Sequence, residues 1–278
     1  MNEILRVENL KKSFTKKGFL QSRSDIVNAV NDVSFSLNDN EILAIAGQSG
    51  SGKSTIAKLI VRAIIPDSGK IFFKNDEITN NTLKLKKFRM QCQMVYQDPY
   101  DSINPRMRVS DIINEPLEIH SMGGKESRYE MVLDALKQVK LEPAEDIAKK
   151  YPHMLSGGQR QRIVIARALV VKPKVIIADE PVSMLDVSIR AEILELMNEI
   201  QKERKISLIY ITHDLATAKY FANRIIILYN GKIVESGNID DVLTRPEHPY
   251  TKALIKAISE PDPKNLYKEK EINWKIDT

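Results

Sequence analysis

A chain of 278 residues with 42% hydrophobic and 28% charged side chains can bury a core as one large domain or two small ones. Its single cysteine, Cys92, excludes an internal disulfide, a four-cysteine zinc site and an iron–sulfur cluster held by this chain alone. The 42 basic residues are offset by 37 acidic ones and scattered, apart from Lys84, Lys86, Lys87 and Arg89, so the net charge of +5 describes a solvated mixed surface rather than a nucleic-acid stripe.

The start, "MNEILRVENL", has no signal-peptide core, and no stretch approaches the ~20 apolar residues of a membrane helix. A soluble protein is expected, and any membrane spanning falls to another chain. In the N-terminal third, "ILRVE" and "DVSFSL" alternate apolar and polar residues as strands do, with "IVNAV" between them after a polar, glycine-containing loop. "EILAIAG" is apolar almost throughout and ends at glycine, the pattern of a strand buried on both faces. "TIAKLIVRAI" predicts the helix that follows. Residues 98 to 165 contain no convincing strand and predict a helical insertion, where Met131, Val132, Ala135, Leu136 and Val139 share one face. "VIIAD" and "SLIYIT" repeat the buried-strand pattern, with Ile189, Ile193, Leu196, Met197 and Ile200 marking a helix between them. "IIILYNGKIVESG" reads as a hairpin about Asn230-Gly231, a type I′ signal. The last stretch is rich in Pro, Lys and Glu and predicts a loosely packed tail. Buried strands each followed by a helix argue for a mainly parallel sheet wrapped by helices.

Gly47, Gln48, Ser49, Gly50, Ser51, Gly52, Lys53, Ser54 and Thr55 spell a complete G-x-x-x-x-G-K-[ST] loop between a buried strand and a helix. Its glycines let successive N–H groups face a β-phosphate. Lys53 supplies charge to the β- and γ-phosphates, and the Ser54 hydroxyl is a ligand for Mg²⁺. The alternative, a glycine turn that binds nothing, does not account for both motif and context. "VIIADE" ends in two carboxylates at the strand end where parallel sheets bind ligands. Asp179 is expected to hold Mg²⁺ and Glu180 to polarise the attacking water, although an acidic pair there also serves as a helix cap. Gln97, in "MVYQDPY", can offer an amide oxygen to Mg²⁺ or water. His213, in "IYITHD", can hydrogen-bond a γ-phosphate, although a lone histidine after a strand is more often a cap or packing residue.

"MLSGGQRQR" poses a second anion cradle, because it opens a helix at a glycine turn. With the P-loop, "VIIADEP", "SMLDVS" and His213, it resembles the ATP-binding cassette family of ATPases in order, spacing and identity over about residues 1–240. That resemblance implies an α/β fold: a P-loop NTPase with a mainly parallel core sheet (roughly 1–95 and 166–240), an N-terminal antiparallel β-subdomain and an inserted helical subdomain (roughly 96–165), with 241–278 as a C-terminal tail. It implies that two cassettes pack head to tail with ATP and Mg²⁺ between them. Ser156, Gly157, Gly158 and Gln159 then cap a γ-phosphate held by the partner. Phe14 matches the aromatic that stacks on adenine, and Gln97 the glutamine that couples nucleotide to the membrane subunit. His213 matches the histidine on the γ-phosphate, and Asp186 the residue that signals across the dimer. Met184 stands where the family usually has alanine.

"YQDPYDSINPRMRVSDIINEPL" and "RPEHPYTKALIKAI" resemble the oligopeptide, dipeptide and nickel importer branch. The partners so implied are a second cassette, identical or homologous, two transmembrane permease subunits and, indirectly, an extracellular substrate-binding protein, at the cytoplasmic face of the membrane. No nucleic-acid partner is expected. A soluble ATP-gated clamp on nucleic acid or ribosomes is the alternative from another class, and an exporter cassette a third reading. One cassette without a heptad run argues against the clamp, and the tail argues against both.

Overall fold

The computed structural model describes residues 2–16 and 25–259. The chain begins with a long antiparallel pair, β1 (Glu3–Lys16) and β2 (Asp25–Asn38), and then enters β3 (Ile42–Ala46). Helix α1 (Lys53–Ile60) follows, then β4 (Ser68–Phe73), β5 (Asp76–Glu77), α2 (Thr82–Gln91) and β6 (Cys92–Val95). A run of helices comes next: α3 (Pro99–Ser102), α4 (Val109–Ile119), α5 (Lys125–Gln138), α6 (Ala144–Lys149) and α7 (Gly157–Leu169). The chain returns through β7 (Val175–Asp179), α8 (Val187–Arg204), β8 (Ser207–Thr212), α9 (Leu215–Phe221), β9 (Arg224–Tyr229) and β10 (Lys232–Asn238). It ends, among the described residues, in α10 (Ile239–Thr244) and α11 (Pro249–Ser259).

The strands form two sheets. One is antiparallel, in the order β2-β1-β4-β5. The other runs β10-β9-β3-β8-β7-β6, parallel throughout except for the edge strand β10. Every residue of β3, β7 and β8 is buried, which is why these segments read as unbroken apolar runs rather than alternating ones. Side chains of one face (Leu43, Ile45, Ile177, Ile209 and Ile211) meet α1 and the antiparallel sheet. Those of the opposite face (Ile176, Leu208, Tyr210) meet the helices, where α4 buries Val109, Ile112, Ile113 and Leu117 and α7 buries Ile163, Val164 and Ala168.

Three expectations change. "IVNAV" and "DVSFSL" are one strand, β2, because the polar step between them is a bulge rather than a turn. Val33 pairs with Leu10 and Asn31 with Lys11, while Asp32 takes φ 62 between them. Helix α1 stops at Ile60 although the apolar pattern runs on to Ile64, since Arg62 turns left-handed (φ 55) and its guanidinium donates to the Ile78 carbonyl. The tail is not loose as far as it is described. Tyr250 is completely buried and Leu254 nearly so, against Ala44, Ala46, Ile225 and Ile227. The remainder of the predicted tail, 260–278, lies outside the described residues.

The Asn230-Gly231 hairpin has the positive φ values of a type I′ turn, 45 and 74. It also ties the parts together. Gly231 N–H donates to Ser51 O at 3.0 Å, and Gly231 O accepts from Asn31 N–H at 2.8 Å.

Ile177, fully buried in the middle of β7, provides a test of this core. Ile177→Ala is expected to cost about 2–5 kcal/mol, read as a lower urea midpoint for unfolding. An unchanged midpoint contradicts the packing described.

Candidate active site

The parallel register brings four strand ends to one edge. Ala46 pairs with Thr212, Ile211 with Asp179, and Ala178 with Val95. The chain therefore leaves β3 as the glycine loop, β8 as His213, β7 as Asp179-Glu180 and β6 toward Gln97, all side by side.

Glycine is required at two places in the loop. Gly47 has φ 154, and a Cβ there would lie 2.2 Å from Leu228 O. Gly52 has φ 107, and a Cβ there would lie 2.1 Å from Ala29 O. Gly52 is also the N-cap of α1, and it leaves the helix start without a side-chain cap, the arrangement that receives a phosphate oxygen. Lys53 is 5% exposed. Its ammonium donates to Gly47 O at 2.7 Å and Gln48 O at 3.0 Å. Burial pushes its pKa down, opposed by the charges of Glu180 and Asp179.

Ser54 Oγ donates to Asp179 Oδ1 at 3.0 Å. Burial pushes the Asp179 carboxyl above its ordinary value, and Glu180 adds to this. The Ser54 bond and the charges of Lys53 and Lys58 oppose it. A hydroxyl and one carboxylate side by side are hard oxygen donors of the kind Mg²⁺ shares with phosphate and water. Among the described residues there is no group of three or more His, Cys, Asp or Glu side chains that could hold a metal ion.

Beyond β7 the chain turns through Glu180 in a left-handed conformation, φ 46, fixed by its N–H on Ile211 O at 2.9 Å. Such backbone costs about 1–3 kcal/mol and persists where neighbours hold it. Here it carries the carboxylate to His213, whose Nδ1 lies 2.9 Å from Glu180 Oε2. Burial raises the Glu180 carboxyl, but the His213 bond and the charges of His213 and Lys53 outweigh it and leave the group below its usual value. The His213 pKa is raised, chiefly by that same bond. The pair can hold a carboxylate ready to take a proton, with the other ring nitrogen left for a further partner.

Ser156 and Gln159 form a second group. Ser156 caps α7, its Oγ accepting from Gln159 N–H at 3.2 Å, and Gln159 Oε1 accepts from Ser156 N–H at 3.1 Å. This is a capping box. A Cβ on Gly158 would lie 2.7 Å from Ile189 Cγ2, so the glycine lets α7 approach α8. Asp186 is exposed at the start of α8, next to Met184, which is 60% exposed. Phe14 lies near the end of β1, cross-strand from Val27, with the Lys12 ammonium 5.7 Å from its ring centre. Gln97 is half-buried just beyond β6.

Sequence reasoning missed several residues that shape this site. Arg190 donates to Leu185 O at 2.7 Å and pins the loop carrying Met184 and Asp186. The guanidinium of Arg160 stacks 4.1 Å from the ring centre of Tyr100, joining the segment after Gln97 to α7. Asp214 caps α9 through the N–H groups of Ala216 and Thr217. Of these only Asp214 had a readable signal, a carboxylate directly before a helical run.

A family model described as ABC transporter matches residues 30–183, and one described as oligopeptide/dipeptide transporter, C-terminal region, matches residues 234–275. The chain is 43% identical to the oligopeptide transport ATP-binding protein OppF of Bacillus subtilis, over 99% of this chain and 88% of that protein. It is 44% identical to the probable peptide ABC transporter ATP-binding protein y4tS of Sinorhizobium fredii, over 94% of this chain and 74% of that protein. Among solved structures, the dimeric post-hydrolysis state of the ATP-binding cassette MJ0796, bound to ADP and Pi, is 30% identical with a TM-score of 0.74, covering 85% of this chain and 99% of that one. CbiO1 from Clostridium perfringens, part of the transporter complex cbiONQ, is 29% identical with a TM-score of 0.75, covering 88% of this chain and 92% of that one.

The Glu180–His213 pair predicts a pH signature in stability. The raised His213 contributes fully below 6.5, and the contribution is lost as pH rises through its folded value. The lowered Glu180 contributes fully above 4.5, and this is lost as pH falls through its folded value. His213→Gln is therefore expected to lower the melting temperature most between pH 4.5 and 6.5. A difference that does not change with pH contradicts the pairing.

Proposed function

The chain belongs to the ABC transporter family, and on that premise we propose that it is the ATP-hydrolysing subunit of a peptide importer. The observation that carries this reading is the single sheet edge where the P-loop, Asp179, Glu180 and His213 converge. One half of a nucleotide site is built here, and we assign the other half to the signature group of a second cassette, the self-capped helix start at Ser156.

Phosphates enter the glycine loop, where the Lys53 ammonium keeps its bond to Gly47 O and turns a further N–H to a phosphate oxygen, since an ammonium carries three donors and its bond to an anion is charge-assisted. Ser54 and Asp179 would hold Mg²⁺, with Gln97 as a further oxygen donor, and the ion supplies charge that offsets what develops on the transferring phosphoryl group. Glu180 accepts a proton from the attacking water, and His213 keeps that carboxylate aimed while its free ring nitrogen addresses the γ-phosphate. Phe14 stacks on the adenine. Ser156, Gly157, Gly158 and Gln159 of a second cassette close over the γ-phosphate from outside, and Asp186 relays the nucleotide state between the two chains. The dimer described for the ADP-bound relative supports this closure.

Among the described residues no helix is long and apolar enough to cross a membrane. We place the cassette at the cytoplasmic face of the membrane, docked on two permease subunits through residues 96–165, with a substrate-binding protein acting on the far side. Peptide cargo is supported by the names of the relatives and by the C-terminal match, which also favours an importer over an exporter or a nucleic-acid clamp.

Glu180→Gln tests the reading. Hydrolysis is expected to fall ~10²–10⁴-fold while ATP still binds and the protein sediments as an ATP-dependent dimer. Cells carrying only this variant are expected to lose uptake of labelled oligopeptide and to keep nickel entry. Normal peptide uptake would contradict the proposal, and loss of nickel entry alone would make the cargo a metal chelate.

A further inference from the structure

The stretch "RPEHPYTKALIKAI" marks a branch of the family, but nothing in the catalytic reading uses it. Its position in the fold suggests a task. The turn before α11 is gripped by one carboxylate of β10. Glu235 Oε1 accepts from Glu247 N–H at 2.8 Å, and Glu235 Oε2 accepts from His248 N–H at 3.0 Å. Burial raises the Glu235 carboxyl, but the Thr251 side chain beside it, these two N–H groups and the charge of His248 bring it below its usual value, so it is a charged acceptor at neutral pH. His248 Nδ1 then accepts from Tyr250 N–H at 3.1 Å.

This grip delivers Tyr250 to the glycine loop. Its ring is completely buried, 4.3 Å from the ring centre of Tyr229 at the end of β9. Its hydroxyl accepts from Gln48 N–H at 3.0 Å. That N–H and the carbonyl of Gly47 belong to the same planar peptide unit, and Gly47 O is the 2.7 Å acceptor of the Lys53 ammonium. One peptide plane is thus held at its N–H by the C-terminal helix and at its C=O by the phosphate-binding lysine. Gly47 can adopt many backbone conformations, so the plane needs an external restraint. Burial pushes the Tyr250 phenol above its ordinary value, so it stays neutral.

We propose that Tyr250 is a positioning residue for the phosphate-binding loop: the C-terminal segment docks a phenol on Gln48 N–H and so sets the peptide that orients Lys53. The inference rests on the reading of this loop as the phosphate site. It makes the C-terminal region part of the ATPase machinery without any contact to nucleotide.

Tyr250→Phe removes the hydroxyl and keeps the ring. Two measurements on the full chain test it: amide hydrogen exchange at Gln48 by NMR, and the Kd for ATP. Gln48 exchange is expected to quicken relative to the neighbouring loop amides, and the Kd to rise about 3–10-fold, the worth of one hydrogen bond. A purely structural tyrosine would lower the melting temperature and leave both quantities unchanged in the folded protein, and that result overturns the proposal. Should Tyr250→Phe fail to fold, Glu235→Gln loosens the grip from the surface and must raise the Kd in the same direction; an unchanged Kd overturns the proposal too. Wild-type protein that protects Gln48 yet binds no ATP would overturn the nucleotide reading instead, and with it the consequence claimed for Tyr250.

Discussion

Parallel register is the constraint on which the rest depends. Neighbouring strands that run the same way, in step, must end together, and here β3, β8, β7 and β6 deliver their last residues to one edge. The burial of every residue in β3, β7 and β8 holds that step, since sliding one strand would move a row of isoleucines and leucines out of a packed interior. Chemistry then needs little more than the residues just beyond each strand. The ammonium of Lys53 and the carboxylates of Asp179 and Glu180 share one desolvated corner, where Lys53 favours the charged form of both carboxylates and Glu180 opposes ionisation of Asp179.

The signature group is built on another principle. Ser156 and Gln159 satisfy each other through the capping box, and Gly158 is committed to packing against Ile189. Under the proposed function this half waits for a phosphate carried by another chain. ATP then favours the closed pair only to the degree that it binds the closed pair better than the open one. Moving such an equilibrium from mostly open to mostly closed takes about 5 kcal/mol of differential binding, which two phosphate-binding helix starts and a buried lysine can share. Arg190 and Arg160 give this half a fixed attachment: one pins the loop bearing Asp186 and the other stacks on Tyr100, beside the segment that follows Gln97.

Most of the proposed catalytic edge was legible in the sequence because it lies in local patterns. The glycine loop announces itself by spacing, and "VIIADE" and "IYITHD" by an apolar run that ends in polar residues. The hairpin at Asn230-Gly231 was legible for the same reason. What was not legible depends on distant partners. The joining of "IVNAV" and "DVSFSL" through a bulge at Asp32 shows only once β1 is laid beside them. The tail's Pro, Lys and Glu suggest solvent, but Tyr250 and Leu254, four apart on α11, share a helix face that packs with Ala44 and Ala46, a distant partner no local pattern reveals. The contact between Tyr250 and Gln48 spans 202 positions, and no periodicity reports a bond of that kind.

Central to this account is a nucleotide site completed by two chains. Mixing two inactive variants tests it directly: Lys53→Ala, which spoils the P-loop half, and Ser156→Arg, which spoils the signature half. If ATP lies between chains, a mixed pair contains one site with an intact P-loop from one partner and an intact signature from the other, and the mixture regains hydrolysis that neither variant shows alone. If the mixture stays as inactive as its components, both halves act within one chain, and the head-to-tail account is wrong.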